Sequence, residues 1–134
     1  MKNYVIDACA LIAYLHGEEG ADVVEKALQS EECKLYMHVL NLYEVYYDYY
    51  RNEGEEVADT VLSNLLKLPI TYEERIDLNL MKIAAEFKVT YKVSVADTVA
   101  LALTDLKNAA LVTSDHHEFD EIEQANRLKF YWIR

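Results

Sequence analysis

Within the first fifteen residues the periodicity of the chain changes at one carboxylate. Tyr4-Val5-Ile6 is a short apolar run suited to a buried strand, and Ala8, Leu11, Ile12 and Leu15 follow at helical spacing. Asp7 falls between the two patterns. A strand that delivers an acid to the mouth of a helix is the repeating unit of an open parallel α/β sheet. Such sheets gather their chemistry at the carboxyl ends of their strands.

The remaining sequence continues that alternation. Strand character appears at Lys34 to Val39, Leu68 to Tyr72, Ala110 to Thr113 and Lys129 to Ile133. Between these lie helical patterns. One carries Val23, Val24, Ala27 and Leu28 inward, one runs from Asn41 to about Asn52, and one is marked by Val57/Ala58, Val61/Leu62 and Leu65/Leu66. Ile76, Leu80, Ile83, Ala84 and Phe87 form a further stripe, with Lys88 to Val93 as a linker. The next helix starts near Ser94 and turns Val95, Val99, Ala102, Leu103 and Leu106 inward. Strands separated by helical crossovers imply parallel pairing. With 52% apolar residues, a chain of 134 residues can bury a full core, so one domain over 1-134 is expected.

Composition narrows the function classes. Twenty-four acids against thirteen Lys and Arg give a formal charge of -11, so a polyanionic partner needs cations or a local basic strip to approach. No run of about 18 uninterrupted apolar residues suggests a membrane span. Two cysteines, Cys9 and Cys33, suit reduced structural thiols and a cytoplasmic setting.

Four acids stand at element ends. Asp7 can cap its helix. Asn41-Leu42-Tyr43-Glu44 and Ser94-Val95-Ala96-Asp97 have capping-box spacing, and Asp115 sits in the turn Ser114-Asp115-His116-His117. Singly, each reads as a cap. Caps have no need to converge, however, and four such ends on one edge of a parallel sheet would form an oxygen-rich cluster suited to Mg2+ or Mn2+.

The order and context of these residues resemble the PIN-domain ribonucleases, most closely the small VapC-type toxins of toxin–antitoxin pairs. Val5-Ile6-Asp7 with Leu11-Ile12, Glu44 in its helix, Ser94-Val95-Ala96-Asp97 with the Ala-rich helix behind it, and Val112-Thr113-Ser114-Asp115 with Phe119 carry the likeness. It spans essentially the whole chain. The resemblance implies a three-layer α/β/α sandwich with a central parallel sheet of four or five strands. It also implies a Mg2+- or Mn2+-dependent endoribonuclease, acting as the toxin of a type II pair and leaving 5′-phosphate and 3′-hydroxyl ends. The family's acids fall on Asp7, Glu44, Asp97 and Asp115, and its supporting hydroxyl on Thr113. Ala8 stands where many members have Thr or Ser.

The partners so implied are an RNA substrate and an antitoxin protein. Lys88 and Lys92 are expected RNA contacts, with Lys82 and Arg51 nearby. His116 and His117 read as loop residues, and Asp120 as a solvated helix residue. Tyr43, Tyr46, Tyr47, Tyr49 and Tyr50 crowd one helix and cannot all face inward, which leaves some for a homodimer face or an antitoxin groove. The alternative to an enzyme is a non-catalytic module of the same fold that binds RNA or a partner protein. A phosphoryl-transfer domain with Asp7 as nucleophile ranks last, because no second acid adjoins Asp7.

Overall fold

The computed structural model describes all residues 1–134. In chain order the elements are β1 (Lys2–Ile6), α1 (Ala8–Leu15), α2 (Ala21–Gln29), β2 (Cys33–His38), α3 (Val39–Glu53) and α4 (Glu55–Leu65). They continue as β3 (Ile70–Glu73), α5 (Leu78–Thr90), α6 (Val95–Leu106), β4 (Ala110–Thr113), α7 (His116–Gln124) and β5 (Lys129–Trp132). All five strands pair in parallel in the order β3-β2-β1-β4-β5. No helix is long and apolar enough to cross a membrane.

Successive strand residues point to opposite faces, and the sheet is covered on both. Val5 and Ile6, both fully buried, therefore enter different cores. Ile6, Met37 and Val112 pack with residues of α1 to α4, among them Leu11, Val24, Val45 and Leu65. Val5, Tyr36 and Leu111 pack with Phe87, Leu101, Leu103, Phe119 and Ile122 of α5 to α7. The sandwich has three layers, with the sheet as partition.

The strand order sets where a site can form. The first strand lies in the centre, the chain builds outward to β3, then crosses back to β4 and β5. The carboxyl ends of β1 and β4 thus flank the point where the winding reverses, the crevice in which such sheets bind ligands. Pairing there continues past the strand, since the Asp7 amide donates to Val112 O at 3.3 Å.

Several expected boundaries shift for identifiable reasons. The helix containing Glu44 begins at Val39, because His38 caps it through Nδ1, which accepts from Leu40 N at 3.0 Å. Asn41 is consequently an internal helix residue, and the Asn41–Glu44 capping box does not form. Ile76 is exposed and precedes α5, because Asp77 caps that helix by accepting from Leu80 N at 2.9 Å. The expected linker from Lys88 is helical as far as Thr90. Val95, at the first position of α6, and Leu106, in its last turn, are exposed instead of inward.

Candidate active site

Each of the four acids reaches the reversal point by a different local route. Asp7 ends β1 and caps α1, its Oδ1 accepting from Ala10 N at 2.9 Å. Asp115 follows β4 and caps α7 through Oδ1, which accepts from Glu118 N at 3.2 Å. Ser94 caps α6 by accepting from Asp97 N at 3.1 Å, which fixes Asp97 in the first turn. Glu44 projects from the second turn of α3. Capping is therefore observed for Asp7 and Asp115, each through its Oδ1, and Asp7 also takes a hydrogen bond from the Thr113 hydroxyl.

The electrostatics join these four into one group. Asp7 is only 3% exposed, and its pKa is pushed up from 3.8 to about 7. Desolvation is the main cause, and the charges of Asp97 and Asp115 add to it. The Thr113 hydroxyl and the Ala10 amide pull the other way without cancelling it. Burial also raises Asp97, reinforced by Asp115 and Glu118, and it raises Glu44, reinforced by Asp97. Like charges from four elements thus sense one another across one crevice.

Thr113, fully buried at the end of β4, accepts from Asp115 N at 3.1 Å while its hydroxyl stabilises the Asp7 carboxylate. One side chain therefore supports two of the acids. The donor set, all carboxylate oxygen with one hydroxyl behind it, fits a hard divalent cation. No three His, Cys, Asp or Glu side chains converge into a preformed ion cage, so a cation would have to draw these carboxylates inward.

Some neighbours of the crevice differ from expectation. Cys9 is half-buried with Sγ 2.9 Å from Ser114 Oγ, and burial raises its thiol pKa. His116 belongs to α7, not to a loop. It stacks on Trp132 with its Nδ1 2.8 Å from Asp120 Oδ1, and Asp120 is the main cause of its raised pKa. Lys88 donates to Val93 O at 2.6 Å and so braces the α5–α6 turn, whereas Lys92 is exposed.

Asn41, almost wholly buried, leaves its Nδ2 without a partner one helical turn before Glu44. The three-residue offset from Glu44 was the available sequence signal for it. On the outer side of α3, Tyr43, Tyr47 and Tyr50 are exposed while Tyr49 is buried, so the tyrosines do divide between core and surface.

The sequence matches the PIN domain over residues 4–125. No curated protein matches it. Among solved structures, VapBC-1 from nontypeable Haemophilus influenzae superposes with a TM-score of 0.75 at 16% identity, over 98% of this chain and 98% of that one. VapBC2 from Rickettsia felis, bound to a DNA fragment from its promoter, gives 0.74 at 12% identity over 97% and 98%. VapC20 of Mycobacterium tuberculosis, a toxin that cleaves the sarcin–ricin loop, gives 0.65 at 17% identity over 93% and 95%. With all five strands parallel and the acids at the point where the winding reverses, the chain belongs to the PIN domain family.

Proposed function

We propose that the protein is a divalent-metal-dependent endoribonuclease and the toxin of a type II toxin–antitoxin pair. The observation that carries this reading is the buried Asp7 carboxylate, held near pKa 7 at the end of the central strand with Asp97 and Asp115 raising it. Burying such a group among its own kind costs stability in the free protein, and a function that uses a cation accounts for the arrangement. Asp7, Asp97, Asp115 and Glu44 would hold Mg2+ or Mn2+. The bound ion would supply an activated water and neutralise charge on the scissile phosphate.

The chain's own residues do the remainder. Asp7 and Asp115 are held by their caps, and Thr113, bonded to both, links them. Glu44, half-buried with a raised pKa, is suited to accepting a proton from, or orienting, an attacking water. Lys92 is the exposed base of the expected pair and would meet the RNA backbone. The exposed Tyr43, Tyr47 and Tyr50 suit an antitoxin segment or a second copy of the chain, since interface cores favour tyrosine. The toxin–antitoxin complexes among the structural neighbours support the antitoxin reading.

Purified protein incubated with structured RNA and Mg2+ should cut internally, and Asp7→Asn should lower the rate at least about 100-fold. Equal cleavage by both proteins would remove Asp7 from the chemistry. A non-catalytic module is the second reading, favoured by the lack of a preformed cage. Calorimetry that finds no Mn2+ binding would bring it forward.

A further inference from the structure

Four aromatic rings form a column on the outer half of the sheet that climbs toward the acidic crevice. Phe119, fully buried, packs on Phe130 with ring centroids 5.7 Å apart. Phe130 lies 5.3 Å from Trp132 with planes 13° apart, and Trp132 lies 3.7 Å from His116 at 14°. Phe130 and Trp132, two residues apart on β5, share one face of the sheet. The column therefore starts in the core and ends on an imidazole whose side chain is 47% exposed. That imidazole follows Asp115 directly in the chain.

His116 is held at both ring nitrogens and on one face. Nδ1 meets Asp120 Oδ1 at 2.8 Å, Nε2 meets Arg134 O at 2.9 Å, and one ring face lies against Trp132. The exposed surface is consequently the opposite face and the carbon edge. A side chain held only to tether Arg134 would not need a parallel ring behind it. A flat, immobilised ring at the rim of a site for phosphodiesters is suited to a flat ligand, because little freedom remains to be lost on stacking.

We propose that the outer face of His116, backed by Trp132, is a stacking platform for an unpaired RNA base beside the scissile phosphate. The proposal rests on the ribonuclease reading above. It gives an acidic protein a grip on RNA that does not need a basic strip, since every base presents a π-face. Purines, with the larger face, should be preferred over uracil at that position.

The test uses single-stranded 12-mers of oligo(A) and oligo(U), fluorescein-labelled, with wild-type protein in Ca2+, read by anisotropy. Trp132, the only tryptophan of the chain, reports independently through its emission. Oligo(A) should bind more tightly than oligo(U) and change Trp132 emission. His116→Ala should weaken oligo(A) binding about 5–10-fold and erase the preference. His116→Phe, which keeps a ring and loses both hydrogen bonds, should stay within about 2-fold of wild type, whereas His116→Gln should behave like the alanine variant. Equal binding of the two RNAs, or a phenylalanine variant no better than alanine, would overturn the platform and leave the ribonuclease reading standing. Failure of wild-type protein to bind either RNA would also overturn the platform, while cleavage of structured RNA in Mg2+ decides the ribonuclease reading separately.

Discussion

The two edges of the sheet handle charge in opposite ways. At the amino-terminal edge, Tyr36 lies between Lys34 and Lys107, whose Nζ atoms are 5.4 and 4.8 Å from its ring centroid, and Asn3 donates to Lys107 O at 2.9 Å. A broad cleft also opens there, and its charged lining of Lys2, Lys26, Glu31 and Glu32 is solvated. The charged groups named at that edge are exposed or lie near an aromatic ring. At the carboxyl edge, Asp7 is buried with like charges around it and a pKa of about 7. One edge is arranged for stability, and the other gives up stability to hold a constellation together. The broad cleft and the buried carboxylate thus lie at opposite edges of the sheet.

Opposite responses at the two edges would sharpen that contrast, and matching responses would break it. Tyr36→Ala removes a largely buried ring and should cost about 3 kcal/mol in urea unfolding, while RNA cleavage per folded molecule is unchanged. Asp7→Asn should do the reverse, abolishing cleavage while stabilising the metal-free protein. Asp7 titrates at 3.8 when unfolded and at about 7 when folded. Folding therefore takes up a proton between those values, and stability falls as pH rises through that window. Asparagine keeps the cap and carries no charge, so a gain of a few kcal/mol, at most about 4, is expected above pH 7, vanishing near pH 4. A Tm series from pH 4 to 8 reads it; a variant less stable than wild type at pH 8 would remove the claim of cost.

Smaller effects refine the same picture. Thr113→Val leaves the Asp115 amide without its acceptor and Asp7 without its hydroxyl, for a loss of about 1 kcal/mol. Unlike Tyr36→Ala, it should also slow cleavage severalfold. Lys92→Glu should leave the unfolding free energy within about 0.5 kcal/mol of wild type and weaken RNA binding only a few-fold, most visibly at low salt. Salt-independent weakening would argue against a phosphate contact there.

Legibility in the sequence followed the range of the interactions involved. Ala110–Thr113 was readable to the residue because an apolar run bounded by polar turns suffices to define a strand. Asp7 as strand end and helix cap needed only its immediate neighbours. The start of α3 was hidden, because His38 caps it with a ring whose Nε2 donates to Arg75 O at 2.9 Å, 37 residues away. Ile76 fitted the helical stripe by spacing alone and lost to the stronger cap at Asp77. The place of His116 depends on Trp132 and Arg134, both brought in by β5, which local pattern cannot anticipate.

The partition made by the sheet has a consequence for how the protein opens. Glu44 rides on a helix of one outer layer and Asp97 on a helix of the other, while Asp7 and Asp115 leave the sheet between them. α3 and α6 also pack on each other directly, and Leu40 of α3 reaches the second core, so the two outer layers already meet beside the acids. A cation gripping both acids would tighten that link, and amide exchange in the first turns of α3 and α6 would slow together as the metal is titrated.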